Sequence, residues 1–155
     1  MYAVRRSELK LKANLSNRFL AVALALLLLV IPSISLSEWV EVGTSYNNNI
    51  VYLDFDRIRQ HEGHVYFWTL VNYLEPGSDG DFSSTSYYKA DCGKWAIVLL
   101  KLSTFKQHDG IGEIAFDLSF TKQMQTWIYP EKNTNTDSFT DLLLTHICDF
   151  SASMK

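Results

Sequence analysis

Cys92 and Cys148 are the only two cysteines of the 155-residue chain. A thiol of this kind serves as nucleophile, metal ligand or half of a covalent staple. A nucleophilic Cys92 needs a histidine within reach and a lowered pKa. Its neighbour Asp91 carries a negative charge that pushes the thiol the other way. His61, Glu62 and His64 in "HEGH" invite a metal reading. Helical zinc motifs set their two histidines four apart on one face; here they stand three apart across a turn, which reads as a polar hairpin tip. Asp79 and Asp81 in "SDGDFSS" are spaced like the start of a calcium loop, yet no closing bidentate glutamate follows in frame. Asp54 and Asp56 share one strand face, whereas an acid and base pair works across a cleft; alternation alone explains them as solvent-facing charges. No phosphate-binding glycine loop, Ser-His-Asp set or Gly-x-Ser-x-Gly elbow occurs. The residues therefore favour a non-enzymatic domain with no cofactor and no bound metal. The alternative is a periplasmic metal-dependent hydrolase that uses the His61/His64 hairpin and the acidic loops.

Which role the cysteines play depends on compartment, and the N-terminus speaks to that. Arg5, Arg6, Lys10, Lys12 and Arg18 precede an apolar run, Phe19 to Ile31, followed by Pro32 and the small-residue stretch "SISLS". Basic region, apolar region and small residues form the order of a secretory signal, with cleavage expected after Ser37. The 13-residue run falls short of the roughly 20 residues that span a bilayer, which argues against the rival reading of a retained anchor. No cysteine stands at the cleavage point, so the expectation is a periplasmic or secreted protein of the Gram-negative envelope, not a lipoprotein. In that oxidising compartment Cys92 and Cys148 are expected to pair.

The division also changes the charge. The chain carries 14 basic and 17 acidic residues, a formal net charge of −3. Residues 38–155 retain 9 basic and 16 acidic residues, a charge of −7. Nucleic acid and anionic membrane surfaces call for clustered Lys and Arg, so the expected partner is a protein. Once the signal is removed, no membrane association is expected.

Residues 38–155 read as one domain. In "VYLDFDRI" Val51, Leu53 and Phe55 alternate with Tyr52, Asp54 and Asp56, the pattern of a half-buried strand. "HVYFWTLVNY" is aromatic and β-branched, as strands are. "RQHEGH", "EPGSDGD" and Asp109-Gly110 are turn stretches, and "STSYYKADC" and "KWAIVLLKLSTF" flank a turn at Gly93. Ile114, Phe116, Leu118 and Phe120 form a further alternating segment. After Pro130 the character changes: Thr136 or Asp137 is a candidate N-cap for a helix whose apolar face holds Phe139, Leu143, His146, Ile147 and Phe150. The expected fold is α+β: one antiparallel sheet of about six strands in a meander, with a C-terminal helix packed on one face and held by the disulfide. Aromatic residues are plentiful, among them Tyr66, Trp68, Trp95 and Trp127. The candidate binding surface is Tyr52, Asp54, Tyr87 and Tyr88, with strand parity allowing only one of the adjacent tyrosines to face outward.

Taken in order, Tyr52-x-Asp54, Trp68, Asp91-Cys92, the Trp127 to Pro130 segment and Cys148 make residues 39–148 resemble the bacterial surface-adhesin protein E family. The resemblance implies a small antiparallel sheet with a C-terminal helix held against it by the two cysteines. It also implies binding of host matrix or serum proteins such as vitronectin and laminin, and assembly as a homodimer.

Overall fold

The computed structural model describes residues 38–45, 47–130 and 138–154. The expected signal, residues 1–37, lies outside them, as do Thr136 and Asp137. Among the described residues no helix is long and apolar enough to cross a membrane.

Period-two alternation folds into one antiparallel sheet of seven strands: β1 Trp39–Thr44, β2 Ile50–Asp54, β3 Arg59–His61, β4 His64–Asn72, β5 Ser83–Asp91, β6 Ala96–Phe105 and β7 Ile114–Ser119. The order across the sheet is β1-β2-β4-β5-β6-β7, and β3 shares with β2 one edge of β4. The segment read as a strand through residues 51–58 thus ends at Asp54, and the stretch read as a turn, "RQHEGH", opens with a further short strand, β3. Asp54 breaks it: its Oδ1 accepts from the Arg57 backbone N–H at 3.1 Å and caps a one-turn 3-10 helix, Phe55–Arg57. That turn carries the chain along β4, from the Leu53↔Thr69 pair to the Arg59↔Tyr66 pair. It also takes Phe55 out of the alternation and onto Phe150, with ring centroids 4.9 Å apart.

The hairpin between β3 and β4 needs positive φ at both central residues of its tight turn. Glu62 and Gly63 supply it, at 50° and 75°. The turn sets His61 and His64 opposite each other in register.

Among the described residues a single α-helix, α1 Phe139–Ser153, follows the sheet. Its N-cap is Ser138, one residue past Asp137, the later of the two expected caps; the hydroxyl accepts from the Asp141 N–H at 3.1 Å. The stripe Leu143, Leu144 and Ile147 is fully buried against Val51, Leu53, Val65, Phe67, Tyr88, Ala90 and Ile97, the inward residues of four strands. Each such aliphatic side chain contributes on the order of 1.5–3 kcal/mol on burial. At Gly43 (φ +151°) β1 bulges, and a Cβ there would come within 3.2 Å of Leu142 Cδ1. The helix lies that close to the edge strand.

Three further ties hold α1 in place. Cys92 and Cys148 form a disulfide across 56 residues, with Cα atoms 5.7 Å apart, as expected from the sequence. Trp95, in the same turn as Cys92, donates its indole N–H to Asp141 Oδ1 at 2.7 Å. Asp141 is half exposed there. Gln60 Nε2 donates to the Ser151 carbonyl at 2.8 Å near the helix C-terminus, where carbonyls lack intrahelical partners.

Tyr88 lies within the core and stacks on Phe67 at 5.6 Å. Burial pushes its hydroxyl up to about 12, with the hydrogen bond to Ser86 opposing and Tyr73 adding to the rise. A raised folded pKa means the stability tied to the neutral hydroxyl is fully present below the unfolded value, near 10, and is lost as pH climbs through about 12. Alkaline unfolding should therefore steepen over that window in the native protein and flatten in Tyr88→Phe. A second measurement concerns the staple. Cys148→Ser should lower stability by up to about 4 kcal/mol in the loop-entropy limit, and hydrogen exchange should rise first in α1 while the β4–β5 ladder stays protected.

Candidate binding face

With α1 covering the side of the sheet that carries the odd-numbered residues of β4, the even-numbered residues face away from it. Register then decides neighbours. Trp68 pairs with Tyr87, Tyr66 with Lys89 and Arg59 with Tyr66 across adjacent strands, and Tyr87 pairs with Lys101 on the next. The side chains join into one continuous ladder. The Arg57 guanidinium lies between two indoles, 5.2 Å from the Trp39 ring centroid and 5.4 Å from that of Trp68. Trp68 stacks on Tyr87 at 4.8 Å, and Tyr87 meets Tyr66 at 6.2 Å. Beyond Tyr66, Lys89 reaches over Trp127 at 5.0 Å, with Lys94 5.4 Å from the same ring and His64 stacked on it at 5.9 Å.

Trp127 arrives here from a distant part of the chain. Two backbone hydrogen bonds of 2.8 and 2.9 Å between Ile97 and Ile128 dock the segment after β7 beside the start of β6. That bridge turns Ile128 toward the helix side and, by strand parity, Trp127 toward the ladder.

Electrostatics hold the ladder in place. Arg57 forms an ion pair with Asp54, whose side chain is 0% exposed while that of Arg57 is 44% exposed. The guanidinium is thereby fixed while its faces stack on the rings, a combination that an ammonium group cannot reproduce. Lys94 pairs with Asp91 at 3.0 Å and Lys101 with Asp117 at 3.2 Å. Asp91 is held below the usual carboxylate range, first by the hydrogen bond from Lys94 and also by the Lys94 N–H and His64. Asp117 is lowered chiefly by the Ser103 hydroxyl, then by Lys101. Burial raises the Tyr87 hydroxyl, and Tyr66 adds to the rise against Arg59.

The four residues expected to form a binding surface separate. Tyr52 and Tyr87 are half-buried on the helix-free face. Tyr88, 7% exposed, is a core residue, because one step along a strand reverses the side chain. Asp54 is not a solvent-facing charge: its carboxylate is buried under Arg57, capping the turn that interrupts the strand. Trp39, Arg57 and Lys89 join the face without having been singled out from the sequence. The signal for part of it was present, since the even positions of "HVYFW" are His64, Tyr66 and Trp68. The His61 and Glu62 side chains are 70% and 79% exposed at the hairpin tip, and His64 Nδ1 donates to the Glu62 carbonyl at 2.9 Å. Among the described residues no three His, Cys, Asp or Glu side chains converge into a group that could hold a metal ion.

A family model described as surface-adhesin protein E matches residues 39–149. Among solved structures, crystal form II of Haemophilus influenzae protein E is similar at 18% identity and a TM-score of 0.49, covering 76% of this chain and 92% of that one. The selenomethionine form of the same protein gives 18% identity and a TM-score of 0.48, covering 76% and 91%. No curated protein matches the chain.

Arg57→Ala should destabilise the protein by about 1–3 kcal/mol, because it strips a buried carboxylate of a charged donor. Arg57→Lys should recover only part of that loss. Urea unfolding of the three proteins checks the order, and equal stability of native and alanine forms would show that the pair does not support the fold.

Proposed function

We propose, from the premise that the chain belongs to the surface-adhesin protein E family, that it is an exported, non-enzymatic binding domain that engages a protein partner through the helix-free face of its sheet. Family membership marks it as an adhesin-type surface protein. The observation that carries the finer reading is the Trp39–Arg57–Trp68–Tyr87 stack. Trp, Tyr and Arg dominate the energetic centres of protein interfaces, since they bury large areas with little loss of rotamer freedom. Here they are already clamped by an ion pair and by one another, and α1 covers the opposite side. Matrix or serum proteins of a host are the partners that an adhesin role supplies, and export by removal of residues 1–37 is the route that brings the domain to them.

The experiment uses the exported protein, whose N-terminal sequence should begin at Glu38. It is passed over immobilised vitronectin and laminin. Saturable binding that falls at least tenfold in Trp68→Ala, with the unfolding midpoint little changed, is the expected result. Absence of saturable binding to either protein sinks the adhesin reading, and binding indifferent to Trp68 sinks the face.

A further inference from the structure

A cleft of about 740 Å³ lies on the helix side of the sheet, at the end of β5 remote from Cys92. Tyr73 and Phe116 supply aromatic surface to its lining, and the exposed carboxylates of Glu75 and Asp79 stand at its mouth. Two polar side chains line its depth. Asp81 is 7% exposed and Thr104 9%. Asp81 fits because residue 77 is glycine: a Cβ there would lie 2.5 Å from Asp81 Oδ1. The Thr104 hydroxyl is buried with no hydrogen-bond partner among the described residues, an uncommon state for a buried polar atom. Among those residues none of the three carboxylates forms an ion pair. The nearby Lys106 ammonium donates instead to the Asp79 backbone carbonyl.

We propose that this cleft receives one basic side chain, a lysine ammonium or arginine guanidinium, presented by a polypeptide partner. The chemistry fits on three counts. Carboxylates and ring faces both attract a cation. The Thr104 oxygen can accept an N–H that nothing else in the described protein gives it. The acidic groups do not converge into a metal cage, so a cation whose donors are spread along a flat or branched head fits better than a bare ion. This site stands apart from the aromatic ladder, on the other side of the sheet, and its test does not depend on that face.

The probe is a capped Gly-Arg-Gly tripeptide, titrated into the disulfide-bonded protein while backbone amide resonances are followed. Its control is the same peptide with citrulline, which keeps the shape and loses the charge. The arginine peptide should shift the amides of Asn49, Gly77 and Thr104 saturably, bind at least tenfold more weakly to Asp81→Asn, and weaken as salt is raised. The citrulline peptide should shift none of them. Equal responses to the two peptides, or arginine binding unchanged in Asp81→Asn, would overturn the proposal. So would shifts at those amides with calcium chloride and none with the arginine peptide. Should Asp81→Asn fail to fold, the exposed pair Glu75→Gln with Asp79→Asn serves in its place, and unchanged binding there overturns the proposal equally.

Discussion

The attachment of α1 to one side of the sheet is the constraint from which the rest follows. An antiparallel sheet of this size has two faces and too few residues to bury both. Leu143, Leu144 and Ile147 dry one of them, and the disulfide, the Trp95–Asp141 bond and the Gln60–Ser151 bonds fix where the helix lies. Every side chain on the even-numbered positions of β4 is thereby committed to the other face. The aromatic ladder is the complement of the core, specified by the same alternation. Loss of the helix would expose the aliphatic side and end the distinction between the two faces.

Much of the sheet was legible because its information is local. Alternation in residues 64–73 and 114–120, turn chemistry at Gly63 and Asp109-Gly110, and the 100° stripe of the helix are each read within a dozen residues. The cysteine pair was legible by elimination, since only two exist. What escaped was set by tertiary register. The capping role of Asp54 ends the expected strand early, and from sequence its carboxylate cannot be told from any strand aspartate. Arg57 reads as a loop charge until that turn places it between Trp39 and Trp68. Trp127 joins His64 and Lys89 only through the bridge at Ile97 and Ile128, a contact between segments about 30 residues apart with no local pattern to announce it. Parity did foresee that Tyr87 and Tyr88 must part; which one faces inward waited on where the helix sits.

Net charge proved a blunt guide to surface character for the same reason. Residues 38–155 are acidic as a whole, yet Arg57, Arg59, Lys89, Lys94 and Lys101 all lie on or beside the ladder. Carboxylates near them are consumed in pairs, as Asp54, Asp91 and Asp117 show. Among the described residues Glu75, Asp79 and Asp81, away from the ladder, form no ion pair. A sum over the chain cannot report such a separation, whereas the field that a partner meets depends on it.

On the proposed binding face, separation of charge and rigidity of the rings act together. Ordering a flexible side chain at an interface costs about 0.5–1.5 kcal/mol, and that cost is subtracted from whatever contact it makes. In the ladder it is met in the free protein: Trp68 is stacked on Tyr87, Arg57 is held by Asp54, and Lys89 rests on Trp127. A partner laid on this face therefore finds the rings in place and gains from nearly all the area it covers. Asp54, whose burial and pairing stabilise the fold, holds Arg57 between the rings. Affinity on such a surface should reside in a few central rings, with Tyr52 at the margin, because only the stacked residues are both exposed enough to be covered and fixed enough to lose little when they are.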